Sequence, residues 1–102
     1  MPEVTFQGAS VTTGHGCDGV TTIFAGSSDV LVDNGSKGVA REDDALSAHT
    51  FPSGTQCVSH GGQKVNQGSQ TVFVNDKPIA RKGDPCDIAG EVTEAFNGVI
   101  AG

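Results

Sequence analysis

Gly68-Ser69-Gln70-Thr71-Val72-Phe73-Val74-Asn75-Asp76-Lys77-Pro78-Ile79-Ala80-Arg81-Lys82-Gly83-Asp84 is written a second time, in blurred form, earlier in the same chain. The blurred copy begins Gly26-Ser27-Ser28-Asp29-Val30-Leu31-Val32-Asp33-Asn34 and closes Val39-Ala40-Arg41-Glu42-Asp43-Asp44. Gly68 lies 42 residues after Gly26, and Arg81 lies 40 after Arg41, so the first copy holds two extra residues in the turn Asn34-Gly35-Ser36-Lys37. An internal repeat decides architecture before any local pattern does. Within each copy the two-residue strand period sets Val72 and Val74 against Phe73, and Val30 and Val32 against Leu31. Asn34-Gly35 and Asn75-Asp76 supply turn chemistry, and Pro78 fixes φ directly after the second turn. Each copy therefore reads as a β-hairpin. Asp84 can accept hydrogen bonds from nearby backbone amides and hold its corner.

The composition agrees. With 12 Val, 4 Ile, 5 Phe, 2 Leu and 1 Met among 102 residues, and no Trp or Tyr, the core is small and β-branched. Fifteen glycines favour tight turns over helices. Arg41–Ala48 is a short helix candidate, but the repeat claims Arg41–Asp44 for the end of a β unit. A net charge of −6 with scattered acids argues against nucleic acid and against an anionic membrane surface. No stretch has the length of a transmembrane helix, and Met1-Pro2-Glu3 lacks a signal-peptide pattern. The chain is expected to be made in a cytoplasm and, if exported, carried out by another route. Its three cysteines are then expected to be reduced, with a Cys17–Cys57 or Cys57–Cys86 bridge as the exception.

Outside the repeats, residues 3–12 read as a first strand, Thr12–Asp18 as a Gly-rich turn, and Val20–Phe24 as a β-branched run. Residues 45–61 read as an irregular connector. Gly90–Gly102 resembles the start of a third unit that simply stops. The expected organisation is one all-β domain, 1–102. Its units span about 15–49 and 60–86, with a partial third at about 90–102. Phe24 and Phe73 are expected in the core, Asp43-Asp44 at a solvated corner, and Arg81 as a hydrogen-bonder within its turn. A His stands before each copy and a ligand-type side chain after it, which points to a metal between two equivalent units.

Pro78-Ile79-Ala80-Arg81-Lys82-Gly83-Asp84, Val72-Phe73-Val74-Asn75 and Thr13-Gly14-His15-Gly16-Cys17 together resemble the PAAR-repeat proteins over about residues 13–102. Asp76 stands where that pattern has Gly. Gly38-Val39-Ala40-Arg41 replaces Pro-x-Ala-Arg in the first copy. Ile88 occupies the usual place of the last Cys, with Cys86 two residues early.

The resemblance implies a small conical, three-sided β body with one structural zinc ion at its vertex. Such a body caps and sharpens the trimeric β-helical spike of a contractile injection machine, either a phage central spike or a VgrG-like protein of a type VI secretion system. It implies transient contact with a target cell envelope and no catalysis. The Gly-His-Gly-Cys opening places a phage tail or phage-like particle first. An adaptor that attaches effector proteins to the spike, and an unrelated zinc-stabilised binding module, are the alternatives. A closed zinc site takes four N or S ligands. His15, His49 and His60, the only histidines, fall beside the repeats. Cys86 is the expected fourth ligand, Cys57 its rival and Cys17 the weakest claimant. Cys57 and His60 are too close in sequence to argue for a nucleophile and its base.

Overall fold

A computed structural model of the protein describes residues 2–102. Ten short strands pair antiparallel into five hairpins. β1 (Ser10–Thr12) pairs with β2 (Val20–Thr22), and β3 (Leu31–Val32) with β4 (Lys37–Gly38). β5 (His49–Ser53) pairs with β6 (Gln56–His60), and β7 (Phe73–Val74) with β8 (Lys77–Pro78). β9 (Pro85–Cys86) pairs with β10 (Gly90–Glu91). Among the described residues no helix forms, and Arg41–Ala48 is turn and bridge.

The repeated sequence produces repeated bonds. Ser27 Oγ accepts from the amides of Asp29 and Val30, and Ser69 Oγ from those of Thr71 and Val72. The Val39 amide donates to Val30 O, and that of Ile79 to Val72 O. Asn75 and Asp76 both take positive φ, as a two-residue turn between Val74 and Lys77 requires. At each corner an Arg grips the Asp three residues on. Asp44 accepts from the Arg41 amide (2.7 Å), Nε (2.9 Å) and a terminal guanidinium nitrogen (2.8 Å). Asp84 does the same for Arg81 at 2.7, 3.2 and 2.9 Å. Asp44 is therefore buried in its fork and not a solvated corner, whereas Arg81 plays the role expected of it.

The same backbone pattern occurs a third time, in a copy assembled from both ends of the chain. The Val4 amide donates to Val99 O, where the other copies use Val39 to Val30 and Ile79 to Val72. Glu3 bridges Ile100, and the Ala101 amide donates to Pro2 O. Residues 94–101 thus do not simply stop; residues 2–9 continue them. The three copies close a ring in which Thr5 donates to Ala80 O, Ala80 to Ala40 O and Ala40 to Thr5 O, at 2.9–3.1 Å. All three ring residues are fully buried. Small side chains at this ring let three backbones meet on one axis.

Buried side chains stack along that axis in triplets. Val4, Val39 and Ile79 flank the ring; Ile23, Val65 and Val92 follow; then come Val11, Leu46 and Cys86. Val32, Val74 and Ala101 fill the equivalent places in the hairpins that precede the ring. The body measures 43 × 23 × 23 Å, a long axis with two equal short ones, as a threefold arrangement demands.

Three local expectations are corrected. Phe24 and Phe73 are 68% and 56% exposed. Each repeated strand holds only two residues, so Val30 sits in the turn built on Ser27 and is exposed with Leu31, not packed with Val32. Residues 45–61 contain the longest hairpin, β5–β6, in which His49 faces His60 and Ser53 faces Gln56. Gly54, at φ 62°, makes its two-residue turn possible.

Candidate metal centre

Three hairpins deliver one cluster of polar side chains. His15 rides on the loop between β1 and β2, His49 and His60 face each other across β5 and β6, and Asp87 heads the turn between β9 and β10. Glycines permit the approach. A Cβ on Gly90 would collide with Thr12 O, and one on Gly14 with the Ala89 backbone, so the His15 loop and the Asp87 turn touch only because both lack side chains there. Asn66 Nδ2 donates to Asp87 O (2.8 Å) and the Asp87 amide donates to Lys64 O (3.1 Å), which fixes the turn from the other side.

His15, His49, His60 and Asp87 each offer a donor atom, all within 4.8 Å of one another. Asp87 Oδ2 lies 3.2 Å from His15 Nε2 and 2.5 Å from His49 Nε2, and Oδ1 lies 2.9 Å from His60 Nε2. The side chains of His15, His49 and Asp87 are almost closed to solvent, at 7%, 3% and 0% exposed, and that of His60 at 15%. Phe51 packs against His15 and His60 at 4.8 and 5.0 Å between ring centres and covers the outer side.

The tautomers make this arrangement informative. His15 Nδ1 lies 2.9 Å from Gly16 O, and His49 Nδ1 lies 2.8 Å from Ser47 O. A carbonyl only accepts, so Nδ1 carries the proton and a neutral ring presents a bare lone pair at Nε2. Both lone pairs point at a carboxylate. Acceptors facing acceptors in a dry pocket need a cation between them: a proton on each ring, or a metal ion. Metal-bound imidazoles characteristically donate their other nitrogen to a carbonyl in this way. A tetrahedral ion with bonds of about 2.0–2.1 Å sets its donors ~3.3 Å apart, a separation inside the 4.8 Å that spans the four donor atoms. The four residues could therefore hold a metal ion, with no side left open to substrate. Without an ion and with a proton on each ring, burial pushes the Asp87 carboxyl up, but hydrogen bonds from His60, the Ile88 amide, His49 and His15 outweigh it and hold the group below the usual carboxylate range.

The structure brings together the three expected histidines and closes the fourth side with Asp87. Cys86 is elsewhere. It occupies the core place that Val11 and Leu46 fill in the other units, bridged to Val65 as Val11 is to Val92 and Leu46 to Ile23. Its Sγ donates to Thr12 O (3.4 Å), and burial, followed by repulsion from Asp87 and Glu91, pushes its thiol up to about 12. Cys57 is joined to Cys17 in a disulfide, which corrects the expectation of three reduced thiols and removes Cys57 and Cys17 from the fourth place. The bridge forms because the loop after β1 docks on β6, with the two Cα atoms 5.8 Å apart. Asp87 carried one sequence signal that could have found it: it follows Cys86 directly, one residue nearer the family's ligand position.

A family model described as the PAAR motif matches residues 13–94, which includes all four cluster residues. No curated protein matches the chain.

Proposed function

The chain belongs to the PAAR motif family, the structural, non-catalytic spike-tip proteins of type VI secretion systems and phages, and on that premise we propose that it caps and sharpens a trimeric β-helical spike. One observation carries the proposal. Leu31, Phe73 and Ile100 hold equivalent places in the three copies and are 46%, 56% and 56% exposed. Val30, Val72 and Val99, also equivalent, are exposed beside them. Six apolar side chains in threefold register form a surface that a threefold partner can cover three times over. In each copy these residues precede the central ring, and the metal cluster follows it. Docking surface and point thus belong to opposite ends of the repeated unit.

At the point, His15, His49, His60 and Asp87 would hold one zinc ion, which supplies a cross-link among three hairpins. A small core cannot by itself keep a narrow vertex from fraying. His49 and His60 are preset by strand pairing, Asp87 by its turn, and His15 by its loop. When contraction drives the spike, this rigid vertex meets the target envelope first. A phage tail or phage-like particle is the first setting, supported by the Gly-His-Gly-Cys opening.

Two experiments test the reading. Phe73→Asp should abolish co-purification with the spike while leaving thermal stability within about 0.5 kcal/mol, as for an exposed site; a variant that still binds refutes the docking surface. Metal analysis should find one equivalent of zinc, lost in Asp87→Asn and kept in Cys86→Ser. The reverse pattern would return the fourth place to Cys86.

A further inference from the structure

The four cluster residues are not equally fixed. His49 and His60 are register partners in β5–β6, and Asp87 is tied through its own amide and carbonyl. His15 lies in the loop 13–19, outside any strand. Within that loop, Thr13 Oγ1 donates to Asp18 O and accepts from the His15 amide. Two attachments hold the loop to β5–β6. One is Asp18, whose exposed carboxylate accepts from the Thr50 amide and hydroxyl at 2.8 Å. The other is the Cys17–Cys57 bridge, two residues beyond His15 and three before His60. The bridge therefore ties the least constrained donor to the strand that carries another.

We propose that this disulfide and the metal cluster are thermodynamically coupled: closing the bridge raises the affinity of the cluster for a divalent metal ion, and a bound ion favours the closed bridge. The inference rests on the reading that the four residues hold a metal. With the bridge open, only the Asp18 contacts tie residues 13–19 to β5–β6, and the ion must supply the rest of that ordering; with it closed, more of the ordering is already done. Bridge formation joins the two sulfurs, and two protons and two electrons pass to a low-molecular-weight disulfide such as oxidised glutathione, which leaves as two thiols. Linkage is reciprocal, so the factor by which the bridge tightens the metal equals the factor by which the metal shifts the thiol–disulfide equilibrium. A tip made under reducing conditions would thus hold its ion loosely, then firmly once oxidised.

The test uses the full chain and zinc alone. Zinc affinity is measured by competition with a chromophoric chelator for the oxidised protein and for the Cys17→Ser/Cys57→Ser double variant, whose fold is checked by circular dichroism. The variant should bind at least about 5-fold more weakly, the lower end of ordinary coupling. Equal or tighter binding overturns the coupling. In a glutathione redox buffer, saturating zinc should raise the ratio of bridged to open wild-type chain by the same factor, and this arm decides if the double variant does not fold. A zinc effect on the bridge that persists in Asp87→Asn would come from the thiols and would also overturn it. If the oxidised wild type binds no zinc at all, the metal reading itself fails. Firm binding with no redox dependence sinks only the coupling.

Discussion

The wide part of the molecule and its point are held together by different means. Around the ring of Thr5, Ala40 and Ala80, the backbone bonds and the buried side-chain triplets occur three times, and the short hairpin with its Arg–Asp fork twice. At the point nothing repeats. The β1–β2 loop gives one His, β5–β6 gives two, and the β9–β10 turn gives an Asp. Backbone can meet backbone on a threefold axis because every residue carries a donor and an acceptor. At the point, donor atoms gathered within 4.8 Å of one another can share one ion. Side chains must converge there from unlike positions, and symmetry ends where chemistry begins.

The contrast is broken most severely by removing the proposed ion. Excess chelator, or acid, should release the ion, because bound imidazoles must be unprotonated. Asp87 should not be the first group to fail. Once the ion has left, hydrogen bonds from the protonated rings hold its carboxyl low, so its contribution is complete above the ordinary aspartate range and is lost only as pH falls through the lowered value. Hydrogen exchange should register a loss of several kcal/mol of local protection over His49–His60. The amides of Thr5, Ala40 and Ala80 should keep theirs. Equal loss at both ends would mean that the point and the ring unfold as one unit.

The converse variant attacks the wide end. Asp84→Ala leaves the Arg81 guanidinium, 17% exposed, and a backbone amide without their acceptor. A cost of about 3 kcal/mol in denaturant unfolding is expected, as for a broken, largely buried pair. Asp44→Ala should cost somewhat less, because Arg41 keeps a second acceptor in Asn75 Oδ1 at 3.0 Å. Neither should change zinc stoichiometry. Ala80→Val crowds the ring where Ala40 and Thr5 close in, and should cost about 1–3 kcal/mol in the same assay.

Much of the wide end was legible in the sequence because repetition is visible to the eye. Gly-Ser, Asn-Asp and Arg-x-x-Asp each impose a local bond, and those bonds appear at the same spacing in space. The third copy was half hidden, since Phe6 and Ala9 stand where the others have Arg and Asp, and the chain ends cut through it. The hairpin β5–β6 was missed because its polar strands contain Pro52 and do not alternate in hydropathy. At the point, spacing singled out the three histidines but not their fourth neighbour. Cys86 has the softer ligand chemistry, yet strand register turns it into the core and leaves Asp87, the next residue, facing the histidines, and register is a property of pairing that a linear pattern does not reveal.

That register yields the smallest and sharpest test. If Cys86 is the counterpart of Val11 and Leu46, Cys86→Val replaces a small buried side chain by one the same layer already accepts, and should change stability by less than about 1.5 kcal/mol. A thiolate ligand could not be replaced so cheaply. The pH profile separates the two cases further. The wild-type thiol is pushed up to about 12 from 9.0, so the stability contributed by keeping it protonated is complete below about 9 and is lost as pH rises toward that raised value. Cys86→Val has no such group, and its stability should fall less between pH 9 and 11 while its zinc content stays unchanged. If the variant instead loses the ion at neutral pH, the sulfur reaches the point after all. The stacking of Cys86 with Val11 and Leu46 would then not describe the metal-loaded protein.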